Sequence, residues 1–265
     1  MTTSPLDRAP SRSAAPALDI SGLRVSYRTL TALDDVNLAI GWNRVCGLIG
    51  TNGSGKSTLF KSIMGLVKPQ AGTIRVAGQP AAKARRQSLI AYVPQSEEVD
   101  WTFPLSVRDV VMMGRYGSQN WLRSPRRTDH AAVAEALEMV GMAAFADRQI
   151  GQLSGGQRKR VFVARGIAQN ASVLLLDEPF TGVDKTSEAM IIDLLRGLAG
   201  AGRAILVSTH DLSSLPALCD EAALINQRIM LHGTPREVLR PENLALAFGA
   251  NPLAPRASVP ATLAG

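Results

Sequence analysis

Leu23, Val25 and Tyr27 alternate with polar neighbours, and Val36, Leu38 and Ile40 repeat the pattern a few residues on. A period of two puts successive side chains on opposite faces, so both stretches are predicted as half-buried strands of a small antiparallel layer. Val45 to Ile49 breaks this alternation: it is nearly all apolar, as a strand covered on both faces requires, and a glycine-rich turn follows it. A helix is predicted from Ser57, ending at Gly65. Leu89 to Val93, Val173 to Leu176 and Ala204 to Val207 are further strand-length apolar runs. The last two are separated by a segment that sets Ile191, Ile192, Leu195, Leu198 and Ala199 on one helical face. Buried strands alternating with helices imply a parallel sheet.

Between about Glu97 and Leu153 the strand signals vanish. Ser106 with Asp109 forms a capping-box pattern ahead of Val110 to Met113, and Val133, Leu137 and Val140 make a helical stripe closed by Gly141. This is the pattern of a helical lobe, residues 97–157, inserted in the core. After His210 come a short helical piece, a hairpin around Asn226-Gln227-Arg228, and a helix announced by Thr234-Pro235 with Glu237 in capping position. Residues 1–16 and 250–265 are rich in Ala, Pro and Ser without periodicity and are expected to be loose tails, leaving one domain over 17–249.

Composition narrows the class. The chain has 265 residues, 46% hydrophobic and 19% charged, which is ordinary globular usage and enough for a sizeable core. Charged residues interrupt every apolar run well short of the roughly 18 residues a spanning helix needs, as Asp177 and Glu178 do after Leu176. No signal-peptide pattern follows Met1, and Cys46 and Cys219 fit no metal-ligand spacing, so they read as inert thiols in a reducing compartment. The net charge of +7 raises the question of nucleic acid. The basic clusters are short, mixed with acidic residues and poor in aromatics for stacking, so no nucleic-acid partner is expected.

Gly50-Thr51-Asn52-Gly53-Ser54-Gly55-Lys56-Ser57-Thr58 fits the pattern GxxxxGK[ST], with a buried strand before it and a helix after it. Glycines at this spacing let consecutive backbone N–H groups curl around phosphates at a helix N-terminus. Lys56 reaches the β and γ oxygens, and the Ser57 hydroxyl can coordinate Mg²⁺. Asp177 and Glu178 close a buried strand, where ligands bind in a parallel sheet. Asp177 would hold Mg²⁺, directly or through water, and Glu178 could polarise the water that attacks the γ-phosphate. Leu153-Ser154-Gly155-Gly156-Gln157 opens another helix with Ser154 as N-cap, a second anion-binding helix start in the same chain.

These five residues resemble the signature sequence of ATP-binding cassette (ABC) proteins, and the chain from about 18 to 245 carries that family's other landmarks in order. The resemblance implies an α/β fold, a P-loop NTPase core with a parallel sheet, an N-terminal antiparallel layer and an inserted helical lobe. Tyr27 matches the aromatic on which adenine stacks, though it reads equally as a strand residue continuing Leu23 and Val25. Gln95 matches the loop glutamine that senses Mg²⁺ and the attacking water. Asp184, in Thr181-Gly182-Val183-Asp184, matches the aspartate loop or simply caps the next helix. His210 matches the switch histidine on the γ-phosphate, whereas His130 and His232 are read as structural.

The family pattern further implies ATP and Mg²⁺ as cofactors and a homodimer in which Ser154, Gly155, Gly156 and Gln157 cap ATP held by the opposite subunit. A transporter of this kind needs separate integral membrane permease subunits, which would hold the chain on the cytoplasmic face of the plasma membrane. The segment Ser96 to Gly117, with Trp101 and Phe103, is similar to that of manganese, zinc and ferrous-iron importer ATPases, fed by an extracytoplasmic metal-binding protein. The alternatives are an iron-siderophore or cobalamin importer, and a soluble ABC ATPase acting outside transport. The interval from Lys56 to Asp177 leaves no room for the long coiled coil usual in the latter.

Overall fold

The computed structural model describes residues 15–95, 104–119 and 124–248. Trp101, Phe103 and nearly all of both expected tails lie outside the described residues.

Strands β1 (Leu18–Tyr27) and β2 (Leu30–Ile40) form the antiparallel hairpin that the alternation predicts. Leu18 and Ile20 share the buried face with Leu23 and Val25, although their positions differ in parity. A register shift between Ile20 and Leu23 absorbs the extra residue, with Gly22 at φ 61 in the left-handed region. Beyond β3 (Val45–Ile49) and α1 (Lys56–Ile63), the chain adds β4 (Ala71–Val76), β5 (Gln79–Pro80) and α2 (Ala81–Arg86). These complete a four-stranded antiparallel sheet in the order β2-β1-β4-β5.

The second sheet is built from β6 (Ile90–Val93), β7 (Val173–Asp177), β8 (Ala204–Thr209), β9 (Glu221–Asn226) and β10 (Arg228–Gly233) together with β3. Its order is β10-β9-β3-β8-β7-β6, parallel throughout except for the β9–β10 hairpin. Gln227 turns that hairpin at φ 58. Each face of the sheet is covered. Cys46 and Leu48 of β3 pack toward the antiparallel layer and α1, while Val45 and Ile49 face the other core, which explains the unbroken apolar run. Both cysteines are buried and unbridged. Burial pushes the Cys219 thiol up to about 12 and raises Cys46 well above the ordinary thiol range.

The helical lobe holds α3 (Val107–Met112), α4 (Arg127–Met139) and α5 (Gly155–Ala168). The Ser106–Asp109 capping box opens α3, and Val133, Leu137 and Val140 are buried as the stripe requires. Helix α6 (Lys185–Gly200) follows β7, and Asp184 caps it by accepting from the Ser187 amide at 2.9 Å. After α7 (Leu215–Leu218) and the hairpin, Thr234 and Glu237 box the start of α8 (Pro235–Val238), and α9 (Pro241–Phe248) follows.

Candidate functional site

Strand β3 carries the chain into the Gly50–Ser57 loop, which closes on α1. A Cβ on Gly50 would lie 2.4 Å from the carbonyl oxygen of Ile225 and 2.4 Å from Ser54 Oγ, so the loop passes the sheet too closely for a side chain. Gly55 sits at φ 104, and a Cβ there would come within 2.6 Å of Leu33 Cδ2. The Lys56 ammonium is buried and donates to the carbonyls of Gly50 at 2.7 Å and Thr51 at 2.9 Å. Burial lowers its pKa from the ordinary lysine value, and the charges of Glu178 and Asp177 oppose that shift.

Strand β7 delivers the two carboxylates. Asp177 is buried, and its Oδ1 accepts from Ser208 Oγ of the neighbouring β8 at 2.5 Å. Glu178 follows at φ 49, a left-handed conformation that costs a glutamate energy and persists only where its surroundings hold it. Its backbone N–H is tied to Ser208, 3.2 Å from the carbonyl and 3.0 Å from Oγ. The strained turn aims the side chain at a meeting point. Glu178 Oε2 accepts from Gln95 Nε2 at 2.9 Å and Thr181 Oγ1 at 3.1 Å, and lies 3.2 Å from His210 Nδ1.

One cleft gathers Tyr27, Asn52, Gly53, Gly55, Lys56, Ser57, Thr58, Gln95 and Glu178. Tyr27 is 44% exposed at the end of β1, where Leu23 and Val25 are fully buried, so it departs from the strand pattern and lines the cleft. A neighbouring hollow is lined by Glu178, Thr181, Gly182, Lys185 and His210.

The Ser154–Gln157 helix start stands apart. Among the described residues that line the Lys56 cleft, none comes from it. Ser154 Oγ accepts from the Gln157 amide at 3.2 Å, and Gln157 Oε1 accepts from the Ser154 amide at 2.9 Å. A Cβ on Gly156 would be 3.6 Å from Asp184 Oδ2, so Asp184 neighbours the signature of its own chain as well as capping α6.

Four residues of this machinery carry no spacing signal. Ser208 and Thr181 grip the carboxylates, and the Lys159 ammonium donates to the Gln95 carbonyl at 2.5 Å. Gln227 lines the Lys56 cleft and donates its backbone N–H to the Ser54 carbonyl at 2.8 Å. Sequence exposes Gln227 as a turn residue, but the turn's contact with the loop is made across strands distant in the chain.

A family model described as ABC transporter matches residues 33–181. The chain is 52% identical over 235 residues to the chelated iron transport system membrane protein YfeB of Yersinia pestis, a match covering 88% of this chain and 79% of that one. It is also 52% identical over 239 residues to the manganese transport system ATP-binding protein MntA of Synechocystis sp., covering 89% and 92%. A solved ADP conformation of MJ1267, an ATP-binding cassette of an ABC transporter, superposes with a TM-score of 0.78 at 23% identity, over 89% of this chain and all of that one, and shows the same fold. On the match of the family model and these identities, the chain belongs to the ABC transporter family, as one of its ATP-hydrolysing nucleotide-binding subunits.

Proposed function

We propose that this chain powers an importer for a transition-metal ion, manganese, zinc or iron, through separate permease subunits. The observation that carries the catalytic part is the convergence of Gln95, Thr181 and His210 on one carboxylate oxygen of Glu178, at the edge of the Lys56 cleft. The named roles of the two relatives in chelated-iron and manganese transport support the cargo.

In this reading adenine stacks on Tyr27, and the phosphates lie in the loop from Gly50 to Thr58. There the Lys56 ammonium exchanges its Gly50 and Thr51 carbonyls for phosphate oxygens. The donors nearby, the Ser57 hydroxyl, the Gln95 amide oxygen and the Asp177 carboxylate, are all hard oxygens and suit Mg²⁺. When bound, that ion offsets phosphate charge. Glu178 orients the attacking water, Gln95 and His210 fix the carboxylate's direction, and His210 adds a donor toward the γ-phosphate. Two copies face each other, each presenting Ser154 to Gln157 to ATP on its partner, with Asp184 beside that contact. Hydrolysis removes the bridge and lets the pair open. The permease subunits hold the pair at the cytoplasmic face, and an extracytoplasmic metal-binding protein delivers the ion.

The test is reconstitution of the chain with its permease and binding-protein partners in proteoliposomes. ATP-dependent accumulation of Mn²⁺, Zn²⁺ or Fe²⁺ that stops with Glu178→Gln is the expected result. Uptake confined to an iron-siderophore chelate or cobalamin would overturn the cargo, and ATPase activity with no transport under any pairing would overturn the importer.

A further inference from the structure

Cys46, Glu221 and His232 belong to no motif; Glu221 and His232 share the β9–β10 hairpin, Cys46 is remote from both in the sequence, and three adjacent strands bring them together. Cys46 of β3 pairs with Glu221 of β9, and His232 of β10 pairs with Ala223, two residues from Glu221 on the same face. Cys46 Sγ, a Glu221 carboxylate oxygen and a His232 ring nitrogen lie within 4.8 Å of one another. His232 Nε2 is 3.3 Å from Glu221 Oε2. The other carboxylate oxygen, Glu221 Oε1, is buried and accepts no hydrogen bond among the described residues. Cys46 Sγ donates a long bond to the carbonyl of its own neighbour, Gly47, at 4.0 Å.

We propose that these three side chains form a transition-metal site, distinct from the nucleotide cleft, for a thiophilic divalent ion of the Zn²⁺ class. Thiolate, imidazole and carboxylate are the ligand types such ions take, and three protein ligands leave a fourth tetrahedral position for water. Bonds of about 2.0–2.3 Å set tetrahedral ligands roughly 3.5 Å apart, so the cluster closes by side-chain movements on the order of 1 Å. The charges balance. A divalent cation with one thiolate, one carboxylate and a neutral imidazole is neutral overall, which a buried place tolerates. As the sulfur–metal bond forms, the S–H bond breaks and its proton leaves to solvent. The His232 side chain, 29% exposed, and the Glu221 side chain, 17% exposed, mark the open side by which an ion enters toward the fully buried Cys46. Softer ions outrank Mn²⁺ at such a set, following the general order of divalent affinities. The site stands whichever ion the transporter carries.

The test uses the full untagged chain, reduced and stripped with a chelator, then titrated with Co²⁺. A sulfur-to-cobalt charge-transfer band, displaced stoichiometrically by Zn²⁺, is expected, together with a rise in melting midpoint on Zn²⁺ addition. Cys46→Ser should abolish the band, Cys219→Ser should leave it, and His232→Gln should weaken Zn²⁺ binding about tenfold or more. His232→Gln trims a side chain that is partly exposed, so it decides the matter even if Cys46→Ser does not fold. No band in the wild-type chain at saturating Co²⁺, a band that survives Cys46→Ser, or equal Zn²⁺ affinity in wild type and His232→Gln would each overturn the site.

Discussion

The Lys159 ammonium, on the helix that begins at the signature, donates to the backbone carbonyl of Gln95 at 2.5 Å, and the Gln95 side chain donates to Glu178 at 2.9 Å. The helical lobe is thereby joined to the Glu178 carboxylate by two hydrogen bonds in series. If the tie positions Gln95, Lys159→Ala should lower ATP turnover about tenfold, a cost near 1.4 kcal/mol in the barrier, with nucleotide affinity within about twofold of wild type. An exposed hydrogen bond of this kind contributes about 1 kcal/mol or less to stability, so the melting midpoint should barely move. Unchanged turnover would show that the bond is incidental.

Lys56 and Glu178 should separate binding from chemistry. Lys56 is the buried cation of the loop, so Lys56→Ala should weaken ATP binding about a hundredfold. Glu178→Gln keeps the volume and an acceptor oxygen, and should hold ATP within a few-fold of wild type while hydrolysis falls by a factor of about a thousand. Equilibrium nucleotide binding and single-turnover hydrolysis on both variants check this. Equal losses of affinity would mean the roles are wrongly divided.

Much of this arrangement could be read before any coordinates. The strand-loop-helix around Lys56, the buried strands at Val45, Val173 and Ala204, and the caps at Ser106, Ser154 and Thr234 are all local, each fixed by a period or a capping pattern within a few residues. Strand β4 escaped because only Val76 of its six residues is buried, leaving no alternation to detect. Ser208 and Lys159 escaped for another reason: their partners come from other elements, and a serine in a strand looks alike whether or not it holds a carboxylate. Thr181 bonds Glu178 only three residues back, but no period or cap marks that contact. The Cys46, Glu221 and His232 cluster is the extreme case, since only strand order brings Cys46 beside the hairpin that carries the other two.

Gly50 should tolerate no side chain. Its φ is ordinary, but a Cβ would meet the Ile225 carbonyl at 2.4 Å, and that atom belongs to the backbone of β9 and cannot swing away. Gly50→Ala is expected to destabilise the domain by about 2 kcal/mol through forced displacement of the loop from the sheet, and to weaken ATP binding in proportion. Urea denaturation reads the first effect and nucleotide titration the second. A variant with wild-type stability would show that the loop yields freely here.

The cap of α6 carries a pH signature. Hydrogen bonds from the backbone and hydroxyl of Ser187 hold the Asp184 carboxyl below its ordinary value of 3.8. A group whose pKa falls on folding contributes stability above the unfolded-state value and loses it as pH drops through the folded-state value. The melting midpoint of wild type should therefore exceed that of Asp184→Ala at neutral pH, with the gap narrowing below about pH 4. A gap independent of pH down to pH 3 would assign the difference to helix propensity instead.

The separation of Ser154 from the Lys56 cleft leads to the last expectation. Ser154 and Gly155 are exposed at the start of α5, and the capping box satisfies the Gln157 amide, so the first-turn amides beside it remain available to an anion. The cleft of the same chain draws none of its described lining from this helix start, so in the proposed dimer the phosphate that it caps belongs to ATP on the other copy. Glu178→Gln, expected to hold ATP with hydrolysis all but stopped, should therefore elute as a dimer with ATP and as a monomer without it. Adding Ser154→Glu places a carboxylate where the partner's phosphate would sit, and like charges at that range repel. The double variant should still bind ATP with unchanged affinity in the monomer yet fail to dimerise. A Glu178→Gln chain that stays monomeric in ATP at high protein concentration would refute the shared site, whereas an ATP dimer indifferent to Ser154→Glu would place the contact elsewhere on the surface.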